Sequence, residues 1–206
     1  MLIERPPQWF RRLFPGAIFR LPANRNSGKR VFLTFDDGPV PEATPFVLDT
    51  LDDFGAKATF FMVGENVLRY PALAEEVKRR GHAIGNHTFH HLKGSGVDIE
   101  DYLRDCRASN EIIGSHLFRP PHGWISGKQF RELKKHYTVV MYDLVTRDYS
   151  KWLDADDVVR NVRKFSRDGS VIVFHDSVKS MPRLKEALPR ALQWLSEQGY
   201  SFDILK

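Results

Sequence analysis

The stretch Val31-Phe-Leu-Thr-Phe-Asp36-Asp37-Gly38-Pro39 decides how this chain is read. Strand-forming residues run without a charged break and stop at two carboxylates and a turn. Such an uninterrupted run marks a strand buried on both faces, as in a parallel sheet. Carboxylates at its end lose their water, which is costly unless a metal, a proton or a cation compensates them. About fifty residues later His87-Thr-Phe-His-His91 again follows an apolar run. One carboxylate and two histidines would make a metal site with an open position, leaving the other carboxylate as a base.

Outward from this stretch, short apolar runs alternate with longer amphipathic ones. Strands are predicted over 31–35, 58–63, 83–85, 117–118, 138–144, 170–174 and 202–205, and helices over 44–54, 72–80, 99–113, 126–136, 155–165 and 183–198. Gly55, Gly81, Gly169 and Gly199 each follow a predicted helix and precede a strand, where positive φ ends a helix cheaply. The alternation implies an α/β fold with a parallel sheet, which right-handed crossovers can close into a barrel. Residues 1–29, with Pro6, Pro7, Pro15 and Pro22, are expected to be an extension packing on the barrel formed by residues 30–206.

A parallel barrel gathers its chemistry where strands end. Asp36 and Asp37 follow the first strand and His87 and His91 the third. Arg119-Pro-Pro-His-Gly123 follows the fourth, Asp148 the fifth, and His175-Asp176 the sixth. Five polar clusters from distant parts of the chain are therefore expected on one rim.

His87 and His91, four apart, are expected on one face of a helical turn as two ligands of a divalent metal, with His90 as the competing partner at a spacing of three. Asp37 is taken as the third ligand. Asp36 is left as general base, with a role capping the turn at Gly38-Pro39 as the alternative. Arg119, stiffened by Pro120-Pro121, would hold Asp36 ionised and oriented. His175, near Asp148, would be kept protonated as a general acid. Asp176 and Ser177 are expected to cap the loop that follows them, and His82, His116 and His136 to lie on the surface.

Composition limits what such a site belongs to. With 206 residues and 42% hydrophobic content, the chain suits one sizeable core. Its net charge of +5 is mild, although Arg5, Arg11, Arg12, Arg20, Arg25, Lys29 and Arg30 concentrate positive charge near the start. That favours weak association with an anionic glycan or membrane surface. The absence of aromatic-basic repeats and zinc-finger spacing argues against nucleic acid as a partner. Cys106, the only cysteine, excludes an internal disulfide and reads as a packing residue on a helix. The start fits neither a signal peptide nor a transmembrane segment, so the default location is cytoplasmic or membrane-peripheral.

The five clusters, in this order, resemble the motifs of the polysaccharide deacetylases, the NodB homology domain or carbohydrate esterase family 4. Thr34-Phe-Asp-Asp-Gly-Pro39 and His87-Thr-Phe-His-His91 match the first two motifs, and the resemblance spans roughly residues 30 to 205. It implies a deformed seven-stranded β/α barrel and a metal, usually Zn2+, with Co2+ or Ni2+ as substitutes, on Asp37, His87 and His91. It further implies Asp36 as base, His175 as acid, and a backbone amide at His122 holding the oxyanion. His122 stands where the family commonly has tyrosine. Asp148 is retained in the fourth motif, whose first aspartate is lost and whose tryptophan is Tyr149. Val173 replaces a leucine beside the acetyl-methyl pocket. The implied activity is removal of N-acetyl groups from an N-acetylhexosamine glycan: a chitin oligosaccharide, peptidoglycan or a lipid-linked glycan. The alternatives are hydrolysis of a small cyclic amide or of O-acetyl esters, and a silent sugar-binding module.

Overall fold

In β1 (Lys29–Asp36) the last six residues are all buried, and the strand lies inside a curled parallel sheet. The computed structural model describes residues 4–22 and 28–206. Arg25 and the first three residues of the extension lie outside that range. The remaining strands are β2 (Ala58–Met62), β3 (Ala83–Asn86), β4 (Leu117–Phe118), β5 (Thr138–Val139), β6 (Leu144–Val145), β7 (Val171–His175) and β8 (Tyr200–Phe202). Seven of them run in the order β5-β4-β3-β2-β1-β7-β6, and β8 pairs with the start of β1. Between them run α2 (Thr44–Asp53), α3 (Gly64–Arg69), α4 (Pro71–Arg79), α5 (Ile99–Ile113), α6 (Gly127–Leu133), α7 (Ala155–Phe165) and α8 (Met181–Glu197), with α1 (Gln8–Arg12) ahead of β1. This is the α/β, deformed seven-stranded half-barrel that the alternation and the resemblance implied.

Register places the chemistry. Asp36 of β1 lies beside Phe61 of β2 and His175 of β7. Both neighbouring crossovers thus bring their loops to the same end of the sheet as the Asp36-Asp37 pair. Below that end, the Phe35 ring stacks between those of Phe60 and Phe174, with centroids 5.1 and 5.8 Å away. Each such pair adds about 0.5–1.5 kcal/mol beyond its burial, stiffening the strands beneath the carboxylates.

The predicted strand over 138–144 is two strands. β5 pairs with β4 and β6 with β7, leaving a seam between them. The seam exists because the intervening segment carries Asp143, fully buried and bonded to Arg11, Arg167 and Ser170. The extension bridges the seam from outside. Ile18 donates to the Val139 carbonyl and accepts from the Met141 amide, while Glu4 accepts from the Val145 amide. Phe10, Phe14 and Phe19 fill an apolar cluster with Tyr102, Phe118, Phe130 and Met141.

The pattern misses α1, one turn bounded by prolines, and α3, which breaks at Tyr70 because Pro71 disfavours helical backbone before it. The last strand lies at Tyr200–Phe202, earlier than predicted. Cys106 is buried on α5. His82 corrects its surface reading: it is 6% exposed, and its Nδ1 accepts from the Ala58 amide, 3.2 Å away. Burial holds its imidazole down to about 4, so it is a neutral packing residue.

Candidate active site

Beyond β1 the backbone turns sharply: Asp37 has φ 83°, a left-handed conformation in a non-glycine residue. Among the described residues the other non-glycine positions with positive φ are Thr88, His91, His122 and Arg147, each in a loop at this same end of the sheet. Such costly backbone gathers where surroundings impose a function. At the first turn, Asn66 donates to the Asp37 carbonyl (2.8 Å) and the Gly38 amide donates to the Asp176 carboxyl (3.2 Å). A Cβ on Gly38 would lie 2.0 Å from an Asp176 oxygen, so the two loops close on each other only with glycine there.

Asp176 therefore does not cap its own loop. It reaches across to Gly38 and to the Thr44 hydroxyl (2.7 Å), because burial leaves it no solvent to face. That burial pushes its carboxyl up to about 8. Ser177 stays local, bonding Ser180.

Asp36 and Asp37 diverge from adjacent positions. Asp36, buried, accepts from Arg119 Nη1 at 2.7 Å. The guanidinium is fixed on every side: it donates to the Thr34 hydroxyl (2.7 Å) and the Met141 carbonyl (3.0 Å), and it lies 4.1 Å from the centre of the Phe61 ring. Burial lowers its pKa and Asp36 opposes that. Asp37 turns instead toward the histidines. Its Oδ1 is 3.1 Å from His91 Nε2 and 3.7 Å from His87 Nε2. Burial would raise the Asp37 carboxyl, but the His91 hydrogen bond and the charges of His175, His87 and His91 hold it well below its ordinary value.

His87 and His91 do not share a helical turn, as their spacing suggested. The segment bends twice through left-handed backbone, at Thr88 and His91, and Asn86 braces the first bend by accepting from the Thr88 amide. The rings come to 5.1 Å apart. His90 turns outward to Asp105. His87 Nδ1–H donates to the Arg119 carbonyl (2.8 Å), and burial holds its imidazole down to about 4. Its Nε2 lone pair thus faces the Asp37 carboxylate at a distance too long for a hydrogen bond. One ligand atom from each of Asp37, His87 and His91 lies within 4.8 Å of the others. A mixed carboxylate and imidazole set with a lone pair aimed inward suits a divalent cation, and the Arg119 carbonyl fixes the tautomer from behind.

On β7, beside Asp36, His175 Nδ1–H donates to Asp148 Oδ1, and its amide to Oδ2, each at 2.7 Å. Burial works against charge on this imidazole, but the Asp148 charge and hydrogen bond, with Asp37 and Asp36 behind them, raise it to about 9. The cavity, about 250 Å3, is lined by Asp36, Asp37, His87, His91, Arg119, His122, Tyr149, Val173 and His175, all singled out in the sequence. Asp148 stands behind His175, fully buried. His122 lies edge-on to His91, and Tyr149 edge-on to His175. Reading the sequence missed Tyr142 and Lys179 in the lining, and Thr34, Asn66 and Asp176 as supports. Thr34 and Asp176 adjoin the Asp-Asp-Gly-Pro and His-Asp motifs, whereas no sequence signal pointed to Asn66.

A parallel half-barrel that gathers acidic and basic groups from its strand ends into one cavity has the parts of an acid–base hydrolase. Comparison with known proteins makes this specific. A sequence model described as polysaccharide deacetylase matches residues 23–140. The chain belongs to the polysaccharide deacetylase family. It is 36% identical over 185 residues to a peptidoglycan-N-acetylglucosamine deacetylase of Bacillus cereus, covering 86% of each chain. It is 31% identical over 156 residues to a chitooligosaccharide deacetylase of Rhizobium leguminosarum bv. trifolii, covering 72% of each. Among solved structures, the Bc1960 peptidoglycan N-acetylglucosamine deacetylase, in complex with a 4-naphthalen-1-yl-N-oxidanyl-benzamide, superposes with a TM-score of 0.84 at 32% identity. That match covers 92% of this chain and 91% of that one.

Proposed function

We propose that this chain is a metal-dependent hydrolase that removes N-acetyl groups from a glycan containing N-acetylhexosamine, of the peptidoglycan, chitin-oligosaccharide or lipid-linked type. In this reading residues 30–206 are the catalytic domain and residues 1–29 an extension packed on it. The observation that carries the proposal is that two prepared groups from neighbouring strands line one cavity: Asp36 held by Arg119, and His175 held by Asp148. Mere binding needs neither pair. Asp37, His87 and His91 would hold the divalent cation, and their donor set suits Zn2+ while accepting Co2+ or Ni2+. When bound, that cation supplies Lewis acidity toward the scissile carbonyl and the attacking water.

The chain's own groups do the rest. Asp36, ionised against Arg119, takes the proton of the attacking water. The N–H of His122, a residue that lines the cavity, donates to the oxygen that gains charge. His175 gives its Nε2 proton to the leaving nitrogen, and Asp148 stabilises the imidazolium that precedes the transfer. Tyr149 and Val173 wall the space for the acetyl methyl group.

Acetate release from chitooligosaccharides, peptidoglycan fragments and acetylxylan, with and without chelator and added zinc, tests the reading. Release from the N-acetylated substrates, lost with chelator and restored by zinc, is expected. Asp36→Asn and His175→Ala are each expected to lower it by about 10²–10⁴-fold. Acetate release intact in both variants would overturn the mechanism.

A further inference from the structure

We propose that the outer face of α1, with the arginines beside it, docks this protein on an anionic phospholipid surface. Phe10 and Phe14 turn inward and anchor the helix in the core. Trp9 and Leu13, four residues apart on one stripe, turn outward and are 57% and 49% exposed. Arg12, between them in the chain, is exposed, and Arg20, in the groove next to α1, is exposed as well. Among the described residues neither arginine forms an ion pair. Arg5 reaches Asp143 only at 3.8 Å, and that carboxylate is already engaged by Arg11, Arg167 and Ser170.

A groove of about 750 Å3 runs alongside, with Arg5, Arg11, Arg20 and Arg167 in its walls and no acidic residue among those lining it. Four guanidinium groups against one buried carboxylate leave a surplus of positive charge, and guanidinium matches phosphate oxygens in pairs. The occupant must satisfy both features. A lipid headgroup layer does: tryptophan favours the membrane interface, leucine enters the acyl boundary, and arginine draws anionic lipid. A soluble polyanion accounts for the arginines and leaves Trp9 and Leu13 unexplained. Two exposed side chains fall well short of the roughly 800 Å2 per partner of a stable protein interface. The inner face of α1 links this patch to the loop at the active-site mouth. Trp124, directly after His122 and Gly123, packs against Phe10 and Phe14, with centroids 5.7 and 6.1 Å away. On the deacetylase reading, docking would therefore hold the cavity beside glycans at a bilayer.

Flotation of the full chain with phosphatidylcholine vesicles, with and without phosphatidylglycerol, tests this independently of activity. Binding is expected only with phosphatidylglycerol and is expected to weaken with salt. Arg12→Glu/Arg20→Glu should weaken it at least about 25-fold, roughly fivefold for each charge removed. Trp9→Ser/Leu13→Ser should weaken it at least about tenfold. Both variants should keep the wild-type melting temperature and acetate release from soluble chitooligosaccharide. Failure of the wild type to float, or unchanged flotation of either variant, would overturn the proposal. So would equally tight binding to soluble polyphosphate that ignores Trp9→Ser/Leu13→Ser, or self-association through this face without flotation.

Discussion

Replacing Asp148 with asparagine should convert His175 from an acid charged across the neutral range into one that loses its proton there. In the native site the imidazole sits at about 9 against an ordinary value of 6.5. The difference corresponds to about 3 kcal/mol favouring the imidazolium, net of a burial penalty that acts the other way. Asp148 supplies the two largest opposing contributions, its charge and its hydrogen bond. Asp148→Asn removes the charge and leaves the burial, so the imidazole should return to about 6.5 or below. At pH 8 the protonated fraction then falls from about 90% to about 3%, while at pH 5.5 it stays above about 99% in the native form and near 90% in the variant. The ratio of mutant to native kcat should therefore drop from about 1 at pH 5.5 to about 1/30 at pH 8. A cation at Asp37 offsets part of the carboxylate field and moves both alkaline limbs down together, leaving their separation. The assay is a kcat profile for acetate release under saturating substrate and zinc. A ratio that stays constant with pH would refute the argument, because it would mean that Asp148 only positions the ring.

The two neighbouring aspartates should fail differently. Asp37→Ala and His87→Ala should each lower bound zinc from about one per chain to a small fraction, measured by elemental analysis after dialysis, whereas Asp36→Asn should keep it. Unchanged occupancy in both ligand variants would refute the assignment. The Asp143 carboxylate, held down to about 2 by Arg167, Arg11 and Ser170 against its burial, should stabilise the fold by roughly 2–3 kcal/mol at neutral pH. Its folded value is depressed, so the contribution is complete above the unfolded 3.8 and fades as pH falls through 2. Asp143→Asn should lower the melting temperature at pH 7 by roughly 5–10 °C. A change below about 2 °C would mean that the arginines find water as readily as they find the carboxylate.

The alternation of strands and helices, the parallel sheet and the rim on which the chemistry gathers could all be read from the order of the residues alone. These follow from local causes: a buried parallel strand is an unbroken apolar run, and glycine closes a helix through its own φ. Asp36, Asp37, His87, Arg119 and His175 were legible because polar residues directly beyond such runs have few other places to go. The seam between β5 and β6 emerged only in the folded chain, since it depends on Asp143 meeting Arg11 and Arg167 from distant segments. Folding also turned Asp176 onto Gly38 and Thr44, sent His90 out to Asp105 and buried His82. Each of these is a choice among partners distant in sequence, where burial and charge outweigh local spacing, so no window of neighbouring residues contains the answer. The two aspartates of the opening stretch illustrate the division. Their presence at a strand end was local information, while their separation into one facing Arg119 and one facing His91 was fixed by a left-handed turn that the closing loops impose.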